Sequence, residues 1–293
     1  MMTIYIQFSN FFVCEKSTDL TALKNELPAT VRKSLRKSSR FSLIAAQPLA
    51  NNLSQLYRDE MSGLYFASER GPLANTEACL QDFKQGTWQL MPFSFLNVGI
   101  NSACFDIAQL VNINGKSLAL SDADQSFATA LKIACNDLRS KTVSSALVGT
   151  VDEHLDQSVI FTAPSHIHEH SHPNDGAAWV NLTLNPDAAL AKLDGIYHFP
   201  TLQQAETWLR QQTYDENCFF TLPHSLKVES LAVPDGLTEY RHPAAKTCFT
   251  TAQGVKLAAF IKEISNGHLF HITKGAQGTM TIIKISALLS TSQ

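Results

Sequence analysis

Residues 117–149 open with Ser117-Leu118-Ala119-Leu120-Ser121-Asp122-Ala123-Asp124-Gln125-Ser126-Phe127 and continue ATALKIACNDLRSKTVSSALVG. Ser117 to Ser121 is a short, largely apolar run of strand type. Asp122 to Ser126 is a tight polar turn. Phe127 to Leu138 is a mainly apolar helical stretch, and Ser145 to Gly149 reads as a further buried strand. Strand, polar turn, helix and buried strand in that order are the repeating unit of a layered α/β protein.

The chain on either side keeps to that pattern. Residues 2–14 alternate like a first strand, and Leu27 to Leu53 reads as one helix opened by Pro28. Met61 to Ser68 is a buried-type strand closed by the turn Glu69-Arg70-Gly71-Pro72, and Leu73 to Phe83 is a helix. Met91 to Asn97 reads as a proline-kinked loop, followed by a helix rich in small residues from Ile100 to Val111. Downstream come a histidine-rich loop (Ala163 to Pro173), a strand (Ala177 to Leu184), an amphipathic helix (Thr201 to Gln212) and a short apolar run (Cys218 to Leu222). Residues 223–247 have mixed character. A helix from Thr250 to Ile264 stops at Asn266-Gly267, and strands Leu269 to Thr273 and Thr279 to Ile285 flank the turn at 274–278. The expected organisation is two α/β groups, 1–155 and 174–293, in one compact unit with a loop at 156–173. No periodic sequence repeat is visible.

Composition narrows the classes. With 293 residues and a net charge of −3, the chain is long enough for a large core and carries no basic excess for nucleic acid. No apolar run approaches the roughly 18–20 residues of a membrane span. The opening residues lack a basic stretch and a small-residue cleavage site, so a cytoplasmic protein is expected. Cys14, Cys79, Cys104, Cys135, Cys218 and Cys248 form no CxxC pair and sit mostly among apolar neighbours, as reduced core thiols do.

Several segments, in order, resemble the β-ketoacyl synthases of the thiolase superfamily. Val31 to Ala46 (VRKSLRKSSRFSLIAA) is similar to an early basic segment of that family. Ser62 to Leu80 (SGLYFASERGPLANTEACL) is similar to its strand, Gly-Pro turn and helix. Pro92-Phe93, Asn97 and Asn101 resemble the PF…N…N segment before the nucleophile. Ala146 to Glu153 (ALVGTVDE), Asp175 to Val180 and Gly275 to Thr279 resemble three further family segments. The resemblance implies a thiolase-like layered α/β fold, and the chain looks shortened in its C-terminal half.

The departures from the family pattern bear on function. The family's nucleophilic cysteine aligns with Asp124, beside Gln125, and a carboxylate is a poor acceptor for thioester acyl transfer. No HGTGT-type segment is present, and Lys246 to Ala252, where the second family histidine is expected, contains none. The resemblance therefore implies a subunit without catalytic residues, cofactor or metal. It is similar to a chain-length factor, and most to the short ketosynthase-like subunit of aryl-polyene type II polyketide clusters. Its implied partner is an active β-ketoacyl-ACP synthase, whose acyl tunnel it shapes within a heterodimer. The alternative from the same family is a carrier-dependent decarboxylase or acyltransferase, which Gln125 invites. A self-associating structural module is the reading from outside the enzyme class.

Asp124, Gln125, Ser126 and Phe127 form the degenerate elbow, either lining the tunnel or supplying polar groups that cap the following helix. Arg32, Lys33, Arg36, Lys37 and Arg40 fall on one face of the expected helix, either as a solvated face or as a dock for an acidic acyl carrier protein. His166, His168, His170 and His172 share one side of an extended segment, a compositional hint of metal binding in what otherwise reads as a solvated loop. Trp179, Trp208, Phe219 and Phe220 are expected to fill the core.

Overall fold

The computed structural model describes residues 2–14, 19–86, 91–155, 174–223, 226, 231–246, 251–275 and 277–288. The histidine run 166–172 and Cys248 lie outside the described residues. Ten strands form one sheet in the order β3-β2-β4-β5-β1-β6-β10-β9-β7-β8. They are β1 (Ile4–Val13), β2 (Gly63–Ala67), β3 (Ser117–Leu120), β4 (Ser145–Asp152), β5 (Gly176–Thr183), β6 (Ala191–Phe199), β7 (Cys218–Thr221), β8 (Thr238–Glu239), β9 (Gly267–Lys274) and β10 (Met280–Ala287).

The strand order is symmetric about its middle. Outward from β1 the sheet runs β1-β5-β4-β2-β3, and outward from β6 it runs β6-β10-β9-β7-β8, the same path through each set of five. The sets join through a short antiparallel pairing of Ile4, Tyr5 and Ile6 with Leu193, Lys192 and Ala191. Topology thus repeats where the residues do not, because a fold constrains the apolar pattern rather than residue identity.

Nine described helices layer onto this sheet: α1 (Leu20–Glu26), α2 (Ala29–Ser34), α3 (Arg40–Ala50), α4 (Leu73–Lys84), α5 (Pro92–Leu96), α6 (Ile100–Val111), α7 (Ser126–Arg139), α8 (Leu202–Arg210) and α9 (Thr251–Glu263). Alternation along the strands sorts their side chains. Leu64 and Phe66 of β2 join α3 and α6 on the outer face, whereas Tyr65 and Ala67 face inward to α7. In the second set, Phe270 and Ile272 pack outward with Ala205 and Leu209 of α8, and Leu269, Ile283 and Ile285 pack inward. Helices α7 and α9 therefore form a central layer with strands on both sides. Gly254 makes the closest approach there. A Cβ at that position would lie 2.4 Å from Thr150 Cγ2 and 3.0 Å from Ala178 Cβ.

The second set is the leaner one. Between β2 and β3 the chain builds α4, α5 and α6, whereas between β7 and β8 it passes through residues 222–237 with no described α-helix. Leu222, Leu231 and the half-buried Val233 and Leu237 cover the outer face there instead.

Three expectations need correction. The stretch 27–53 is not one helix, because α2 ends at Ser34, the chain turns, and Ser39 starts α3 by accepting the Ser42 N–H at 3.1 Å. The competing Ser side chain restarts the helix on a new axis. Met91 to Asn97 is not a loop throughout, since Pro92 opens the short helix α5, a first-turn position where its missing N–H costs nothing. Strand β6 was not anticipated, because Lys192, Asp194, Gly195 and His198 dilute its apolar pattern.

Candidate functional site

The elbow is built at the junction of β3 and α7. Ala123 takes a left-handed φ of 43°, which turns the chain sharply between strand and helix. Ser126 Oγ holds the turn, accepting the Asp122 N–H at 2.8 Å and donating to the Ala123 carbonyl at 2.7 Å. The Thr129 hydroxyl donates to Asp122 Oδ2 at 2.6 Å. The N-cap residue is Gln125, and its side chain makes no capping bond. Its carboxamide points elsewhere, so the polar residues of this turn do more than terminate a helix.

Two carboxamides tie the elbow to the second half of the chain. The Thr273 hydroxyl on β9 donates to Gln125 Oε1 at 3.0 Å. Gln253, in the first turn of α9, donates from Nε2 to the Asp124 carbonyl at 2.8 Å. Gln125 and Gln253 are 7 % and 4 % exposed, and each keeps one polar atom without a protein partner, Gln125 Nε2 and Gln253 Oε1.

The start of α9 is anchored by Asp152 at the end of β4. Asp152 Oδ2 accepts the Thr251 hydroxyl at 2.6 Å and the Thr251 N–H at 3.2 Å, while Oδ1 accepts Ser68 Oγ at 2.9 Å and the Glu69 N–H at 3.0 Å. Beside it, Glu153 and Asp175 are fully buried carboxylates that share one guanidinium, that of Arg40. Burial pushes the Glu153 carboxyl up to about 7 against the opposing pull of Arg40. Arg40 is thereby removed from the expected basic face. Arg32, Lys33, Arg36 and Lys37 remain exposed, the first two on α2 and the others in the turn after it.

Of the four expected elbow residues, Gln125 lines an open cleft. A cleft of about 390 Å³ is lined by Asp122, Gln125, Ala128, Thr129 and Lys132 of the elbow and α7, by Ile196 and His198 of β6, and by Gly275, Gln277, Thr279 and Thr281. Asp124 is half-buried beneath Gln253, Ser126 is consumed by the turn, and Phe127 is 1 % exposed in the central core. His271 was missed by the sequence reading. It lies two residues before Thr273 on the same face of β9 and is 1 % exposed, with its Nδ1 2.7 Å from the Thr221 hydroxyl. Burial holds its imidazole down to about 3, helped by the charge of Lys256, so it is neutral. Only the alternation of β9 hinted that it points inward. Trp179 is core as expected, with its indole N–H donating to the Ala45 carbonyl at 2.8 Å. Among the described residues, no group of three or more His, Cys, Asp or Glu side chains is arranged to hold a metal.

Residues 46–175 match the family model of the beta-ketoacyl synthase N-terminal domain. No curated protein matches the chain. Among solved structures, the chain is similar to the AntDE:AntF complex, a type II PKS acyl-carrier protein with its ketosynthase bound to the hexaketide. The TM-score is 0.71 at 15 % identity, over 98 % of this chain and 99 % of that one. It is likewise similar to the ishigamide ketosynthase/chain length factor, with a TM-score of 0.70 at 15 % identity over 98 % and 99 % of the two chains. A beta-ketoacyl synthase from Burkholderia phymatum aligns with a TM-score of 0.66 at 12 % identity, over 98 % of this chain and 100 % of that one. Residues 46–175 thus carry the pattern of that N-terminal domain, and the chain as a whole has the layered thiolase-like ketosynthase fold. No helix among the described residues is long and apolar enough to cross a membrane.

Proposed function

We propose that this chain is a non-catalytic, chain-length-factor-like subunit. It pairs with an active β-ketoacyl-ACP synthase in the cytoplasm and shapes the tunnel in which an acyl or aryl-polyene chain grows. The observation that carries this reading is the elbow. The position aligned with the family nucleophile is Asp124, whose backbone carbonyl accepts from Gln253, and the first residue of α9 is Thr251, whose hydroxyl is committed to Asp152. Neither position offers a thiol nucleophile or a proton-transferring imidazole.

Pairing draws support from the other end of the first strand set. β3 is the outermost strand of the sheet, with one edge unpaired among the described strands. Before it, Met91, Phe95, Leu96 and Phe105 are each more than 60 % exposed. An unpaired strand edge and large exposed apolar side chains are each costly in a lone protein and are covered in a complex. Two of the similar structures are described as a ketosynthase/chain length factor and as a ketosynthase with its acyl-carrier protein. Arg32, Lys33, Arg36 and Lys37 supply a charge face complementary to an acidic carrier protein.

The decarboxylase or acyltransferase alternative has less behind it. It places glutamine at the nucleophile position, whereas Gln125 is one residue past it with its carboxamide held by Thr273. His271, close by on β9, is neutral and bound to Thr221. The test is co-expression with the ketosynthase encoded nearest to this chain, then affinity capture, gel filtration and an elongation assay. The expected result is a one-to-one complex whose activity survives Asp124→Ala in this chain and disappears on Cys→Ala in the partner. A chain that purifies alone and releases carbon dioxide from malonyl-carrier protein would refute the proposal.

A further inference from the structure

The cleft beside the elbow contains a buried donor that the protein leaves unused. Gln125 Oε1 is turned to Thr273, which fixes the carboxamide, and Nε2 has no protein partner at a wall of the cleft. An unpaired buried N–H is costly and rare in folded chains, so its persistence asks for an acceptor from outside. Gly275 keeps the room for one. A Cβ at 275 would lie 2.5 Å from Thr279 Oγ1, which lines the same cleft, 3.3 Å from Gln125 Cγ and 3.5 Å from its Nε2.

The remaining walls specify what enters. Gln125, Ala128, Thr129 and Lys132 follow one face of α7 at helical spacing, so the exposed Lys132 stands two turns, about 10 Å, along the cleft from Gln125. Ala128 and Ile196 supply apolar surface between them. Asp122 lies at the Gln125 end, where its charge disfavours a second anion even though its Oδ2 accepts the Thr129 hydroxyl. His198 faces the same space with Nδ1 engaged at 3.2 Å by Thr281. We propose that this cleft binds a linear small molecule bearing an uncharged carbonyl oxygen at its inner end, on Gln125 Nε2, and an oxyanion at its outer end, near Lys132. The site is a binding site on a chain whose elbow we read as non-catalytic, and it does not depend on the pairing of that chain.

The experiment titrates the full-length, 15N-labelled protein with 4-oxopentanoate and 5-oxohexanoate, and in parallel with hexanoate, heptanedioate and inorganic phosphate. The Gln125 side-chain NH2 resonances are followed and binding is quantified by calorimetry. The oxo acids are expected to shift those resonances saturably, with hexanoate, which lacks the carbonyl, about tenfold weaker. Lys132→Met is expected to weaken binding several-fold. Gln125→Leu and Gly275→Val are expected to abolish it, with thermal melts to show that each variant is folded. Because Lys132 is exposed, its variant keeps the test decisive if the buried ones fail to fold. Heptanedioate bound as tightly as the oxo acids would overturn the uncharged inner end, and phosphate alone acting as strongly would overturn the two-ended ligand. No saturable shift, or unchanged binding in Lys132→Met, would overturn the site itself. Those failures leave pairing untouched, since recovery of the complex is read separately.

Discussion

The Thr251 hydroxyl at the first residue of α9 donates at 2.6 Å to Asp152, which closes β4 ninety-nine residues earlier in the chain. One carboxylate thereby joins the central helix of the second strand set to a strand of the first and, through Ser68 and Glu69, to the turn after β2. Asp152→Asn puts an amide where Oδ2 now accepts an O–H and an N–H, or, if flipped, where Oδ1 accepts the Ser68 and Glu69 donors. Either way donors meet donors. Each buried donor left unpaired costs about 1–3 kcal/mol, so Asp152→Asn should lower the unfolding free energy by about 2–4 kcal/mol. Urea denaturation of the purified protein checks this, and a midpoint unchanged from the parent would show that the bonds carry no net stability.

The buried Glu153 makes stability depend on pH with a defined sign. Its carboxyl is raised to about 7 in the fold from an ordinary value of 4.5, so between those values the native state holds a proton that the unfolded chain has released. Stability contributed by this group is complete below about 4.5, falls as pH rises towards 7, and stays flat above. The loss is on the order of 3 kcal/mol. Glu153→Gln, which keeps an oxygen for the Ala74 N–H now bound at 2.8 Å, should remove that slope. Thermal melts from pH 5 to 8 on both proteins decide it. The same slope in the Gln variant would place the titration elsewhere.

The exposed side chains before β3 should matter to assembly and not to folding. Phe95→Asp combined with Phe105→Asp replaces two side chains that are 62 % and 61 % exposed. Surface changes of this kind shift stability by about 0.5 kcal/mol or less, whereas loss of interface aromatics commonly costs ~2 kcal/mol or more in binding. Gel filtration of the co-expressed pair should show the complex dissociated, with circular dichroism unchanged. An intact complex would locate the partner on another surface.

Charge reversal separates the basic residues from one another. Glu at Arg32, Lys33, Arg36 and Lys37 together should slow carrier-protein association, and the difference from the parent should shrink as salt is raised. Arg40→Glu should behave differently, because the Arg40 guanidinium pairs with the buried Glu153 and Asp175. Its loss costs about 3–5 kcal/mol of stability. Stopped-flow association at two salt concentrations and a denaturation curve distinguish the two behaviours.

Much of the architecture was legible in local pattern. The 3.6-residue spacing of α6, α7 and α9, the alternation of β1 and the short apolar run Ala146 to Gly149 in β4 are properties of neighbouring residues, and each element formed where its pattern stood. The order of family-like segments carried the fold, and Asp124 at the aligned elbow carried the expectation that this chain lacks the thiol chemistry. What local pattern could not contain is any relation set by topology. Arg40 kept helical register with Arg32 and Arg36 on paper, but the break at Ser39 and a pair of carboxylates more than a hundred residues away took it inward. Gln253 and Thr273 look like ordinary helix and strand residues until the central layer places them against Asp124 and Gln125. Sequence by itself determined most of the helices and strands and the residue types that stand at the elbow, because both follow from residue type and spacing. Only the tertiary structure decided which side chains close that elbow and which cleft it opens onto, because partners so distant in sequence are chosen by strand order and layer packing.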